Sequence, residues 1–263
     1  KFDGEDGDNA GTFSIVNQVV GTGNELDCNY AVYPYSSTNK ITESGVISAC
    51  LPATQNYEVN SFGLGANTMA AATQDKNDTF LKFKTVGGYL KLLLFGDDVT
   101  VKTITLTGNS NEQIAGNATI TTSNTNDPIV NMTNDATEAI TLDCGSGVKI
   151  GTSAETATAF WIVVPPTSFE DGFNVTIRDI NGYEITKSTS NEINVERNRI
   201  KPMDAFKVEI MSNNQIWYTS SDGNIIEPSD PSAFGTSIKS NVYKDGKGII
   251  TFDNDLSTIG DGA

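Results

Sequence analysis

Apolar and polar residues alternate with a period of two along much of this chain, which is the pattern of strands with one dry and one wet face. Phe173, Val175 and Ile177 fall on one face of such a stretch, with Asn174, Thr176 and Arg178 on the other. Asn181-Gly182 follows and predicts a hairpin with a type I′ turn, because that turn needs positive φ at both central residues. Tyr183 and Ile185 open the return strand, and Ile193 and Val195 continue the alternation up to Arg197-Asn198. Just upstream, Phe160-Trp161-Ile162-Val163-Val164 is apolar in both phases, as in a strand covered on both faces, and Pro165-Pro166 stops its pairing.

The N-terminal half reads the same way in shorter pieces. Residues 12–20 and 29–35 are expected strands, the second ended by Tyr33-Pro34, and 46–51 and 57–64 are two more. Met69-Ala70-Ala71-Ala72, within 68–78, is the only stretch that suggests a short helical turn. The polar run 75–78 is expected to mark a domain boundary. Residues 81–86 and 89–95 around Gly87-Gly88 predict a second hairpin, with Leu90, Leu92 and Leu94 in a central strand buried on both faces. Val99 and Val101 are out of phase with Ile104 and Leu106, which suggests a β-bulge. Residues 123–135 are polar and read as a loop; 140–144 reads as a strand.

Composition narrows the chemistry. The 263 residues carry a formal net charge of −16, so the chain should repel nucleic acid and anionic membrane. There is no histidine, which removes His-based acid–base catalysis, His-paired nucleophiles and His-ligated zinc. Of the three cysteines, Cys144 sits at an apolar position; Cys28 and Cys50 could bridge, but three free thiols are favoured. Asp3, Glu5, Asp6 and Asp8 suggest a calcium loop, yet Gly7 breaks the ligand order and Ser14 stands where the closing Glu belongs. The stretch reads as an acidic leader, with no metal and no cofactor expected. Other carboxylates fall in turns, at Asp97-Asp98, Glu170-Asp171, Asp179, Asp253 and Asp255, where turn chemistry explains them. No catalytic residue is expected. Tyr30, Tyr33 and Tyr35 alternate along a strand or its exit and Trp217-Tyr218 stand near the tail; of these Tyr33, Tyr35, Trp217 and Tyr218 are the candidate ligand contacts, set against plain core packing. No secretory signal and no bilayer-length apolar run is present, and the chain reads as an excised mature fragment.

Several stretches also carry a resemblance. Tyr30-Ala31-Val32-Tyr33-Pro34-Tyr35, the run from Leu81 to Leu92 through Gly87-Gly88-Tyr89, the apolar strand ending in Pro165-Pro166, the Gly172-Phe173-Asn174-Val175-Thr176-Ile177 strand, the Asn181-Gly182 turn and Glu196-Arg197-Asn198 together resemble fimbrillin-like domains of surface lipoproteins from Bacteroides and related bacteria. The tail, from Gln215-Ile216-Trp217-Tyr218 to Leu256-Ser257-Thr258-Ile259-Gly260-Asp261-Gly262-Ala263, resembles the entry to a BspA-type leucine-rich-repeat array. An ordinary C-terminal β-extension is the plain alternative.

The resemblance implies an all-β chain of two transthyretin-like β-sandwich domains, residues 1–78 and 79–210, with a truncated leucine-rich-repeat cap over 211–263. It further implies lipidation upstream of Lys1, export to the outer membrane, and a non-catalytic stalk or adhesion role toward a protein or glycan ligand on a host or bacterial surface. A fimbrial subunit or tip adhesin is a second reading, although no Arg precedes Arg178 for the processing such subunits undergo. A glycan-binding module is a third, which exposed aromatics in a groove would favour.

Overall fold

In the computed structural model, residues 11–12, 26–210, 214–228, 235–244 and 246–256 are described. The acidic leader, the strand expected over 12–20 beyond residue 12, and the repeat signature after Leu256 lie outside the described residues. Among the described residues no α-helix occurs, and no helix is long and apolar enough to cross a membrane.

The strands sort into two packed units that the chain visits alternately. The smaller unit opens with β1 (Tyr30–Tyr33), β2 (Lys40–Ile41) and β3 (Ile47–Leu51). The chain crosses to the larger unit for β4 (Thr54–Glu58) and β5 (Ser61–Phe62), then returns for β6 (Met69–Ala72) and β7 (Lys84–Thr85). It crosses again for β8 (Gly88–Phe95) and β9 (Thr100–Gly108), and returns for β10 (Gly116–Thr121) and β11 (Ile129–Met132). The larger unit is finished by β12 (Ala139–Lys149), β13 (Thr158–Val164), β14 (Thr167–Phe169), β15 (Phe173–Asp179), β16 (Glu184–Thr189), β17 (Ile193–Val195), β18 (Ile200–Pro202) and β19 (Phe206–Lys207). A separate antiparallel sheet follows, from β20 (Gln215–Tyr218), β21 (Ile238–Lys244) and β22 (Lys247–Phe252), in the order β20-β22-β21.

The larger unit packs a six-stranded sheet, β16-β15-β9-β12-β4-β5, against the sheet β13-β8-β18. The alternation read from sequence supplies the facing side chains. Phe173, Val175 and Ile177 of β15, Ile104 and Leu106 of β9, and Ile140 and Leu142 of β12 share one core with Leu90, Leu92 and Leu94 of β8 and Phe160 and Ile162 of β13. The smaller unit packs β1-β6-β7 against β11-β10-β3-β2 around Ile47, Ala49, Ala70, Val86 and Ile120.

Hydrogen bonding therefore runs across the boundary expected at 75–78. β3 pairs with β10 and β4 pairs in parallel with β12, so strands from both sides of residue 78 share sheets. The polar run is a turn in which the Asp75 carboxylate accepts from the amides of Asn77 and Asp78, and it interrupts the smaller unit without ending it.

Several local expectations are corrected. Met69–Ala72 is a strand paired with β1, from Tyr30↔Ala72 to Tyr33↔Met69. Four residues are too few to stabilise a helical turn, and a strand partner is at hand. Gly87-Gly88 is no hairpin turn: β7 pairs with β6, whereas β8 pairs with β13. β8 is central, but the face bearing Tyr89, Lys91, Leu93 and Phe95 is only half-buried. Residues 57–64 hold a turn, with Asn60 at φ 57° between β4 and β5. β11 lies within the expected 123–135 loop; as an edge strand it leaves Ile129 exposed, so its pattern looks polar. β17 pairs with β14 and does not extend β16.

The β15–β16 hairpin forms as expected, with a different turn. Gly182 has φ +90° and Asn181 does not share the left-handed region, so the loop is Ile180-Asn181-Gly182. The Asp179 carboxylate sets its length by accepting from the amides of Asn181 at 2.8 Å and Tyr183 at 2.9 Å. The phase slip in β9 is a bulge at Lys102: β15 pairs Arg178 with Thr103 and then Asp179 with Val101.

Candidate functional site

Two stretches about a hundred residues apart close on each other beside the junction of the two units. The amide of Asn198 donates to the carbonyl of Gly87 at 2.8 Å, and the amide of Tyr89 donates to the carbonyl of Arg199 at 2.9 Å. A Cβ at Gly88 would stand 2.1 Å from the carbonyl oxygen of Glu196, so glycine is needed for close approach and not for a turn. Asn198 makes the returning bend with φ 56°, a conformation Asn tolerates better than most residues. The Arg197 guanidinium donates to the carbonyl of Thr85 at 3.2 Å and pairs with Asp127 at 2.5 Å, tying β7 to the loop before β11. The Arg197 side chain is only 21% exposed and that of Asp127 65%, so the pair sits at a rim.

Tyr89, Arg197 and Asn198 of this clasp line a cleft of ≈ 410 Å³, together with Asn67, Lys84 and Asp127 among others. Lys84 Nζ donates to the carbonyls of Asn124 at 3.2 Å and Asn126 at 2.7 Å, which holds the loop wall. Thr85 Oγ1 donates to Asn67 Oδ1 at 2.5 Å, and the Tyr89 hydroxyl donates to Thr85 Oγ1 at 3.4 Å. The Tyr89 ring is stacked on Phe62, with centroids 5.1 Å apart and planes 8° from parallel. The cleft thus joins a rigid aromatic ring to a fan of amide, hydroxyl and carboxylate groups.

The aromatics expected to contact ligand stand on different sheets. Tyr33 ends β1 at the edge of exposure, and Tyr35 is 87% exposed beyond a cis Tyr33-Pro34 bond. Trp217 and Tyr218 belong to β20. Lys247 Nζ lies 4.2 Å from the centroid of the Trp217 ring, and the Tyr218 hydroxyl donates to Asn241 Oδ1 at 2.8 Å and accepts from the amide of Ile226 at 3.1 Å. Both side chains are thereby engaged in the tail sheet itself. Lys247 also reaches Glu209; hydrogen bonds from Lys247 and then Lys207 hold the Glu209 carboxyl below its usual range.

Among the described residues no group of three or more His, Cys, Asp or Glu is placed to hold a metal. The three cysteines are free, and burial pushes the Cys144 thiol up to about 12. Sequence reading passed over Asn67, Tyr89, Asp127 and Arg197 as binding groups. Gly87-Gly88-Tyr89 and Glu196-Arg197-Asn198 were visible as motifs, but alternation says nothing about which distant strand ends meet.

No protein-family model matches the chain, and no curated protein matches it. Among solved structures the chain aligns with a candidate cell adhesion protein from Bacteroides ovatus, at 14% identity and a TM-score of 0.44, over 75% of this chain and 70% of that one. It also aligns with a candidate cell adhesion protein from Bacteroides uniformis, at 16% identity and a TM-score of 0.39, over 69% of this chain and 68% of that one.

Proposed function

We propose that this chain is a non-catalytic cell-surface module, the stalk or adhesion part of an exported, lipid-anchored protein that continues into leucine-rich repeats. The observation that carries the reading is the clasp. The stretches that resemble fimbrillin-like domains, 81–92 and 160–198, pair along β8 and β13 and meet again at Gly87-Gly88 and Glu196-Asn198. These parts of the resemblance are thus neighbours in the fold, whereas Tyr30–Tyr33 lies in β1 of the smaller unit. The net charge of −16 suits a module held among other surface molecules. The carboxylates of Asp75 and Asp179 are occupied in turns.

Surface display tests the proposal. In cells making the full-length protein, antibody to this chain should stain intact cells, and a metabolic palmitate analogue should label the protein. Staining only after permeabilisation would overturn surface display, and recovery in sheared filaments as a multimer ladder would favour the pilus reading. Coding sequence beyond Ala263 with repeated Ile-Gly-x-x-Ala-Phe units would support the repeat array; its absence would remove that part.

A further inference from the structure

We propose that the cleft between Tyr89 and the Arg197-Asn198 bend binds a neutral polyhydroxylated ligand, a sugar residue of an uncharged glycan. At ≈ 410 Å³ it falls within the roughly 300–1,000 Å³ range of small-molecule pockets. Its lining mixes polar groups with Met69, Phe83 and Tyr89, the last fixed on its Phe62 neighbour, and aromatic side chains beside polar groups suit the C–H face and the hydroxyls of a pyranose.

Charge decides the class. Both cations of the cleft are already committed: Arg197 to Asp127 and the Thr85 carbonyl, Lys84 to the carbonyls of Asn124 and Asn126. An anionic ligand would have to draw Arg197 from Asp127, or the still charged Lys84 from the carbonyls that hold the loop, and would meet the field of a chain at −16. A cationic ligand would have to compete with Arg197 for Asp127. Hydroxyl groups need neither sign, only donors and acceptors at fixed positions. Thr85 holds Asn67 through its Oδ1, which leaves the amide NH₂ to donate. Asp127 Oδ2 is taken by Arg197, and Oδ1 remains an acceptor on a largely exposed side chain. Asn198, exposed and set by its backbone at φ 56°, adds a second amide. Such paired planar groups match adjacent sugar hydroxyls.

The inference does not depend on where the chain is displayed, so its test is made on the purified full chain. Calorimetric titration and saturation-transfer NMR would use maltotriose, mannotriose, chitotriose and lactose, with sialyllactose as the anionic comparator. At least one neutral sugar should bind saturably, with Kd in the micromolar to millimolar range, and lactose should bind at least as well as sialyllactose. Asn67→Asp, which keeps Oδ1 for the Thr85 hydroxyl and removes the amide donor, combined with Asn198→Gly, should weaken binding at least tenfold with the melting temperature little changed, because the Thr85 bond is kept and glycine accepts the positive φ. No saturable binding by any neutral sugar overturns the proposal. So does binding that survives the double substitution, or sialyllactose bound more tightly than lactose.

Discussion

The larger and smaller units bury their apolar faces in different ways. In the larger one, long side chains from both sheets fill the space: Leu90, Leu94, Ile104, Leu106 and Phe160 are all fully buried. In the smaller one two of the five fully enclosed residues are alanines, and Tyr30, Val32 and Val130 are only half-buried around them. Since hydrophobic stabilisation scales with apolar area removed from water, roughly 25 cal/mol per Å², the larger unit has far more to hold it. The smaller unit depends on its repeated chain crossings and on the clasp at Gly88 and Arg197. A unit can thus be well ordered in its hydrogen bonding and still lean on its neighbour for stability.

The strongest blow to this contrast would come from the larger core. Phe160→Ala should cost about 3–5 kcal/mol, measured by urea denaturation, and both units should lose structure together. A cost below about 1 kcal/mol would mean that this core is not the main support. Next, Ile47→Ala should cost near the low end of about 2–5 kcal/mol. Hydrogen exchange should then show protection falling in β1, β3, β6 and β10 while β9, β12 and β15 keep theirs. Equal loss throughout would make the molecule one cooperative body and end the distinction.

Gln55 sharpens the comparison. β13 is an edge strand of its sheet, and the buried Gln55 side chain of β4 serves its outer edge as a strand would. Gln55 Nε2 donates to the Val163 carbonyl at 2.7 Å, and the Val163 amide donates to Gln55 Oε1 at 2.9 Å. Gln55→Ala orphans two buried backbone groups and should cost about 1–3 kcal/mol for each that water cannot reach. An unchanged urea midpoint would show that the edge is open to solvent.

A further effect appears only at high pH. Desolvation raises the Cys144 thiol from 9.0 to about 12, so the folded state favours the protonated form. Its contribution is fully present below about pH 9 and declines as pH rises toward 12. Comparison with Cys144→Ala should show that variant losing less stability over this interval; parallel curves would place the thiol outside the core. At neutral pH iodoacetamide should label the exposed Cys50 and leave Cys144 unmodified.

Much of the larger unit was legible because its residues obey a local rule. The alternation of 173–178, the doubly apolar run 160–164 and the phase slip at 99–106 each describe a strand's own two faces, and all three reappear as β15, β13 and the Lys102 bulge. The smaller unit was harder to read. Ala70, Ala71 and Ala72 fit a helix or a strand equally well until β1 lies beside them. The cleft was least legible, since Asn67, Asp127 and Arg197 come from three distant stretches, and no periodicity links them.

What the sequence determined by itself was the all-β character, the acidic surface, the absence of histidine chemistry and most of the strands of the larger sheet pair. These follow from side-chain type and from a two-residue period that each strand carries alone. The tertiary structure decided pairing. It drew β4 beside β12 and β3 beside β10 across the expected boundary, made Gly88 a point of backbone contact, and brought Tyr89, Asp127 and Asn198 to one cleft. A strand's face is written in its own residues, whereas its partner is chosen by the packing of the whole chain.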